Sequence, residues 1–315
     1  MLSYFASLNP LTLLNSLPGA ISQGMVWGVM ALGVYITFRL LDFADLTVDG
    51  SLAFGAAVCI MMIRSGVPPI VATLVSFFAG AAAGLVTGLL NTLLGIPGIL
   101  ASILTQIALY SINLNVMGKS NQPVSVDNYN LVISLRYVTE DPVKRIIFFV
   151  GFTAFLIMLI AILHLYFGTE QGQAIRATGC NPNMARAQGI NTNFIKVLTL
   201  MISNGLVGIA GGLYGQFQGA ADVGMGRGAI VIGLAAVIIG EVLFGKFASK
   251  RRLYLVWTLI SVVLGAIIYY LVYQFVLWLK MPSEDMKLFS AIVVAVFLAV
   301  PYLRDKALQK KGGAK

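Results

Sequence analysis

From Ser65 to Gly118 the chain runs 54 residues without a charged side chain. An apolar helix needs only about 20 residues to cross the hydrocarbon core of a bilayer, so this tract is long enough for two crossings and too long for one. Asn91, Gly95 and Pro97 interrupt it within NTLLGIPG, Asn91 to Gly98. Pro97 disfavours helical geometry at Ile96, and the tract therefore reads as a helical hairpin. A soluble domain has too few charges here to cover its core: of 315 residues, 58% are hydrophobic and 10% charged, which makes an integral membrane protein the default class.

The pattern recurs along the chain. Apolar windows at about 17–38, 46–63, 68–90, 98–117, 146–167, 195–219, 228–245, 254–279 and 286–303 predict an all-α, polytopic transmembrane bundle of about nine spans, within a range of eight to ten. The leucine-containing segment 2–15 either lies in the interface or forms part of a broken first helix. The whole chain, 1–315, then forms one membrane domain. The first residues lack a basic n-region and a processing site, which argues against a cleaved signal peptide.

Charge orients the bundle. The chain carries 21 Lys+Arg against 12 Asp+Glu, and basic residues collect in cytoplasmic loops. The KFASKRR loop and the basic tail 304–315 fall on the same side as the polar loop 168–193, so all three are expected in the cytoplasm. The opposite, extracytoplasmic side carries the longest other loop, 118–145, which is placed to meet an external partner or to cap a pore. Nucleic-acid binding is not expected, because no soluble segment interleaves aromatic and basic side chains.

Catalytic and metal chemistry find no support. GEVLFGKF, Gly240 to Phe247, approaches the phosphate-loop pattern, but Phe247 stands where a Ser or Thr hydroxyl must hold magnesium. The stretch also ends an apolar helix instead of linking a strand to a helix, so the chain is not expected to bind ATP. His164 is the sole histidine and has no ligand partners at metal spacing, and neither HExxH nor GxSxG occurs. Cys59 and Cys180 form neither a disulfide spacing nor a zinc spacing. No catalytic residue, metal or resident cofactor is predicted.

Two features of the apolar tracts bear on transport. Gly80, Gly84 and Gly88 recur every four residues, as do Gly211, Gly215 and Gly219; each set lies on one helix face and permits close backbone approach. Static packing and a gated slide or bend are both open to them. Polar groups also sit in apolar territory, where lipid cannot satisfy them. Asn204, Gln216 and Gln218, with Tyr214 as an aromatic wall, are the candidate pathway residues. Gln216 and Gln218 lie about 160° apart on a helix, so the set cannot share one face. Asp42, Asp45 and Asp49 are pathway candidates or ordinary loop residues.

The polar segment between the fifth and sixth windows reads EQGQAIRATGCNPNMARAQGIN, Glu170 to Asn191. Asn181 followed by Pro182 starts a helix, Met184, Ala185, Ala187 and Gln188 continue it, and Gly189 stops it. The nine residues Asn181 to Gly189 would extend roughly 13 Å. Gly172 and Gly179 are expected to end or bend the connection before it, and Arg176 and Arg186 to reach lipid phosphate or a soluble partner.

Arg176 to Asn191 resembles a segment in permease subunits of ATP-binding-cassette importers, the group holding branched-chain amino acid and ribose-type permeases. Leu40 to Ala57 resembles an early segment of that group, and Leu206 to Phe217 its small-residue helix. The resemblance spans roughly residues 20–300. Where branched-chain permeases carry an Asn-Phe-Ala-His-Gly-Asp-like stretch, this chain has Asp42, Phe43, Ala44, Asp45, Leu46 and Thr47, which is more similar to a divergent, uncharacterised or tryptophan-type branch. The resemblance implies a coupling helix at Asn181–Gly189, with Arg176, Gly179, Asn181, Pro182, Ala185, Arg186 and Gly189 as coupling positions. It implies import of an amino acid or similar organic solute across a prokaryotic inner or plasma membrane by alternating access. The implied partners are a second permease copy, two cytoplasmic ATPases that bind the ATP and Mg, an extracytoplasmic binding protein and membrane lipid. An ion-driven transporter or a membrane scaffold is the alternative.

Overall fold

A computed structural model describes residues 10–139, 141–249 and 253–279, together with isolated positions between 288 and 299. The first helix, α1 (Pro10–Tyr35), runs into a π-helical turn, Ile36–Leu40. There follow α2 (Thr47–Arg64), α3 (Pro69–Thr92), α4 (Gly98–Met117), β1 (Asn121–Pro123), α5 (Leu135–Thr139) and α6 (Pro142–Gly168). Then come α7 (Glu170–Cys180), α8 (Pro182–Ala187), α9 (Thr192–Gln218), β2 (Ala220–Asp222), α10 (Ala229–Ser249) and α11 (Tyr254–Trp278).

Seven of these helices are long and apolar enough to cross a membrane, and Ala229–Gly245 is a shorter apolar helix. Eight of the nine expected windows thus hold an apolar helix. The window 286–303 lies largely outside the described residues, and the tail 304–315 and Lys250–Arg252 lie wholly outside them. The expected first span begins too late, because α1 starts at Pro10 and absorbs the end of segment 2–15. The fifth spanning helix, α6, likewise opens earlier than its expected window: the Asp141 side chain accepts hydrogen bonds from Val143 N and Lys144 N, and Pro142 occupies the first helical position. This N-cap adds about a turn to α6 and shortens the loop expected at 118–145. Between α3 and α4 the hairpin turns at Gly95, whose φ of 68° suits glycine. Asn91 Nδ2 closes that turn by donating to Ile96 O at 2.8 Å.

The small residues position the bundle. The central helix, α9, packs against α1, α2 and α3. A Cβ added at Gly80 would lie 2.9 Å from Asn204 C, at Gly84 2.6 Å from Leu200 C, and at Gly88 2.9 Å from Val197 Cα. On the α2 side, a Cβ at Gly211 would lie 2.8 Å from Leu52 C, and at Gly215 3.3 Å from Ala56 Cβ. At Gly80, Gly84, Gly88 and Gly211 the helices meet at backbone distances that no larger residue accommodates without movement, whereas Gly215 meets only side chains, less tightly. Gly219 departs from its series: it is the left-handed C-cap of α9, φ 76°, and its N–H donates to Gly215 O. Beyond it, β2 pairs antiparallel with β1 through Asn121↔Asp222, Gln122↔Ala221 and Pro123↔Ala220. This ladder of three-residue strands clamps the loop after α4 onto the end of α9.

Candidate functional site

The polar segment between α6 and α9 folds as two helices, not one. Thr169 Oγ1 caps α7 by accepting from Gly172 N at 3.4 Å. Asn181 Oδ1 caps α8 by accepting from Asn183 N at 3.1 Å and Met184 N at 3.0 Å, with Pro182 at the first helical position. Gly189 ends α8 at φ 84°, and Asn191 Oδ1 then accepts from Phe194 N to start α9. The pair therefore hands its orientation to α9 through a turn of a few residues.

Gly172 and Gly179 do not break the helix; both lie within α7, Gly179 in its last turn. They serve close approach. A Cβ at Gly172 would lie 2.6 Å from Tyr166 O, and one at Gly179 2.9 Å from Leu40 C and 3.0 Å from Leu41 Cα. The far end of α7 thus rests directly on the π-helical turn at the foot of α1. Arg176 is half-buried and turns back toward the end of α6, whereas Arg186 stays exposed on α8. Arg176 Nη2 donates to Phe167 O at 3.3 Å and its guanidinium lies 5.9 Å from the Phe167 ring centre. Arg186 Nε donates to Thr192 Oγ1 at 2.8 Å. Ala185 is the buried residue of α8, whereas Met184 is 61% exposed. The π-helical turn itself is held by Arg39, which forms a two-pronged ion pair with Glu241 of α10.

The polar residues inside the bundle form a chain between helices. Asn204 Nδ2 donates to Asp45 Oδ2 at 2.6 Å, and Asn204 Oδ1 accepts from Ser51 Oγ at 2.7 Å. Asp45 Oδ1 accepts from Thr47 N, Thr47 and Thr87 share a hydroxyl bond at 2.7 Å, and Thr87 donates to Thr105 at 2.9 Å. One buried chain therefore ties α9, α2, α3 and α4 together, and each link satisfies a group that lipid would leave unpaired. Gln216 closes a second node: Nε2 donates to Thr73 Oγ1 at 2.8 Å and Oε1 accepts from Val132 N at 3.0 Å. Asn204 and Gln216 have no exposed surface. Gln218 is exposed and donates to the Tyr214 hydroxyl at 2.7 Å, and the Tyr214 ring meets Trp27 edge-on at 5.2 Å.

The three aspartates separate. Asp42 is exposed in the turn after α1, with φ 55°; Asp45 belongs to the buried chain; Asp49 sits in the first turn of α2. Sequence reasoning missed α7 as a helix, the π-helical turn, and the Asp45–Asn204 pairing. Its one available signal for the last was an Asp and an Asn both placed in apolar surroundings. GEVLFGKF is helical within α10. Among the described residues no group of three or more His, Cys, Asp or Glu side chains could hold a metal.

A bundle of long apolar helices around one small-residue helix, cross-linked by buried polar side chains and carrying a polar helix pair at one end, defines a multi-pass membrane permease. The chain belongs to the family described as branched-chain amino acid transport system, permease component, which matches residues 16–301. It is accordingly a permease subunit of an ATP-binding-cassette importer for a small organic solute in a prokaryotic membrane, and it works with separate ATPase subunits. It is similar to the tyrosine transport system permease protein of Clostridioides difficile (strain R20291), 38% identical over 302 residues and 96% of both chains. An uncharacterised protein of Rickettsia prowazekii (strain Madrid E) is 29% identical over 290 residues, 91% of this chain and 98% of its own. The D-allose transport system permease protein of Escherichia coli (strain K12) is 27% identical over 275 residues, 85% of this chain and 78% of its own. No solved structure matches the chain.

Proposed function

We propose that α7 and α8 form the handle through which two cytoplasmic ATPases drive a dimer of this permease, importing an amino acid delivered by an extracytoplasmic binding protein. The observation that carries this reading is the seat of Gly179 on the backbone of Leu40 and Leu41. A push on α8 reaches α7 through the Asn181 cap, and α7 rests on the foot of α1 while α8 continues into α9. Rigid helices packed backbone to backbone transmit displacement without slack. Met184 and the other exposed residues of α8 offer the surface that meets the ATPase. In this reading 168–193 and 304–315 face the cytoplasm, and the β1–β2 clamp with its 118–145 loop faces the binding protein.

The similarity to a permease named for tyrosine transport makes an aromatic amino acid the first solute to try. Asn204 and Gln216 act on the pathway from within its wall, by holding α2 and α3 to α9, and Tyr214 with Gln218 forms a polar edge of that wall. The test is to purify the chain with its ATPase and binding protein and to measure uptake of labelled L-tyrosine into vesicles. ATP-dependent uptake supports the reading. Uptake driven by a proton gradient without the ATPase overturns it in favour of an ion-driven transporter.

A further inference from the structure

A polar cavity of about 370 Å³ opens between α4, the start of α2 and the turn after β2, lined by Asp49, Gln106, Tyr110, Ser111, Asn113 and Arg227 among others. Its depth follows from its neighbours. Ser51, two residues after Asp49, bonds to Asn204, which stands near the centre of α9. A Cβ at Gly50 would lie 3.2 Å from Gln106 Cα, near the centre of α4. Asp49 Oδ2 accepts from Gly228 N and Oδ1 from Ile230 N, both at 2.9 Å, and so pins the start of α10 at this same level. The segment from β2 to Gly228 thus descends without helix from the end of α9 to the middle of the bundle. Irregular backbone at that depth is stable only where protein or a water-filled cavity surrounds it, and broken helices at mid-membrane commonly hold transported solutes.

The lining carries unmet hydrogen-bonding capacity. Asn113 is 1% exposed, yet its Oδ1 has no partner. Gln106, Tyr110 and Asn113 recur at intervals of four and three, and so share one face of α4. Tyr110 is 45% exposed on a helix otherwise read as apolar, which is a poor face to show to lipid. Arg227 is exposed and forms no ion pair among the described residues. Asp222, on the same turn, is engaged with Gly224 N–H and Asn121, and Asp49 with the α10 backbone.

We infer that this cavity is the solute site of the translocation path and that it takes a small zwitterion, with the solute carboxylate on the Arg227 fork and a solute N–H on Asn113 Oδ1. The guanidinium matches a carboxylate in geometry and charge, and the orphaned amide oxygen needs a donor. The inference rests on the importer reading above and names the site and solute chemistry within it.

The test uses vesicles holding the permease, its ATPase and its binding protein, loaded with ATP and offered the twenty labelled L-amino acids and D-ribose. A charged hydrogen bond lost in Arg227→Gln predicts an uptake rate at saturating loaded binding protein lower by roughly 10- to 100-fold. The half-saturating concentration of that protein moves far less, and Arg227→Lys recovers part of the rate. Arg227→Gln with wild-type kinetics, or transport of D-ribose alone, overturns the site while leaving the importer standing. Failure of the wild type to move any solute with ATP overturns the importer reading and this inference with it. A second measurement does not depend on transport. Tyr110→Cys in a Cys180→Ser chain is expected to react with a charged, water-soluble thiosulfonate, with protection by the transported amino acid; an unreactive Cys at 110 places this face in lipid and sinks the inference.

Discussion

Gly84→Ala should weaken the contact between α3 and α9 on which the rest of the bundle depends. The added Cβ would lie 2.6 Å from Leu200 C and 3.0 Å from Met201 Cα, and closer still to Leu200 O. Backbone cannot rotate away as a side chain can, so the helices must part by roughly 1 Å to restore contact. Overpacking of this kind costs about 1–3 kcal/mol. Alanine returns about 1 kcal/mol of helix propensity, which leaves a net loss of up to about 2 kcal/mol. Gly151→Ala on α6 supplies the control, since nothing lies within 4 Å of its Cβ position and only the propensity gain applies. Thermal unfolding of the detergent-solubilised chain, followed by fluorescence-detected size exclusion, should show a Tm lower by a few degrees for Gly84→Ala and unchanged or higher for Gly151→Ala. Equal Tm values for the two variants would refute the backbone-contact argument. A stable Gly84→Ala chain that had lost uptake would move the glycines from packing to gating.

Three further outcomes are expected. Gly179→Ala brings a Cβ to 2.9 Å from Leu40 C and should lower ATP-driven uptake several-fold by unseating α7 from the π-helical turn; wild-type uptake would show that this seat transmits nothing. A double-mutant cycle on Arg39 and Glu241, read by thermal unfolding, should give a coupling of about 0.2–1 kcal/mol, the range of half-exposed pairs; a value near zero would mean that the pair does not hold the turn. Ser125 and Arg136 hold the Asp127 carboxyl below the usual carboxylate range. Its folded value being lowered, the contribution is present at neutral pH and is lost as pH falls through that value, so amide protection across 125–136, taken relative to the intrinsic exchange rate at each pH, should fall in acid and in high salt, and protection unchanged by pH would contradict it.

The spans were legible because a bilayer demands long apolar helices, and windows such as 98–117 fall within a residue or two of the helices found. The hairpin at Gly95 was legible from local chemistry. What escaped depends on contacts distant in sequence. Asp45 and Asn204 lie 159 residues apart, so an Asp in a loop and an Asn in a helix gave no sign of bonding. The helix α7 was hidden because Gly172 and Gly179 look like breakers until Leu40 is seen beside the second. The ladder of β1 and β2 is too short for a two-residue period to register. The polar face of α4 was masked because averaging over 20 residues hides three polar side chains that only helical spacing aligns.

The central claim is that a separate motor drives this permease through the α7–α8 pair. Replacing Asn181–Gly189 by a flexible Gly-Ser linker of equal length, in vesicles with the intact ATPase and binding protein, tests it most directly. ATP-driven solute uptake should fall to background while the α1, α2, α3 and α9 bundle still elutes as a folded species. Uptake at the wild-type rate through the linker would show that the handle does not carry the stroke.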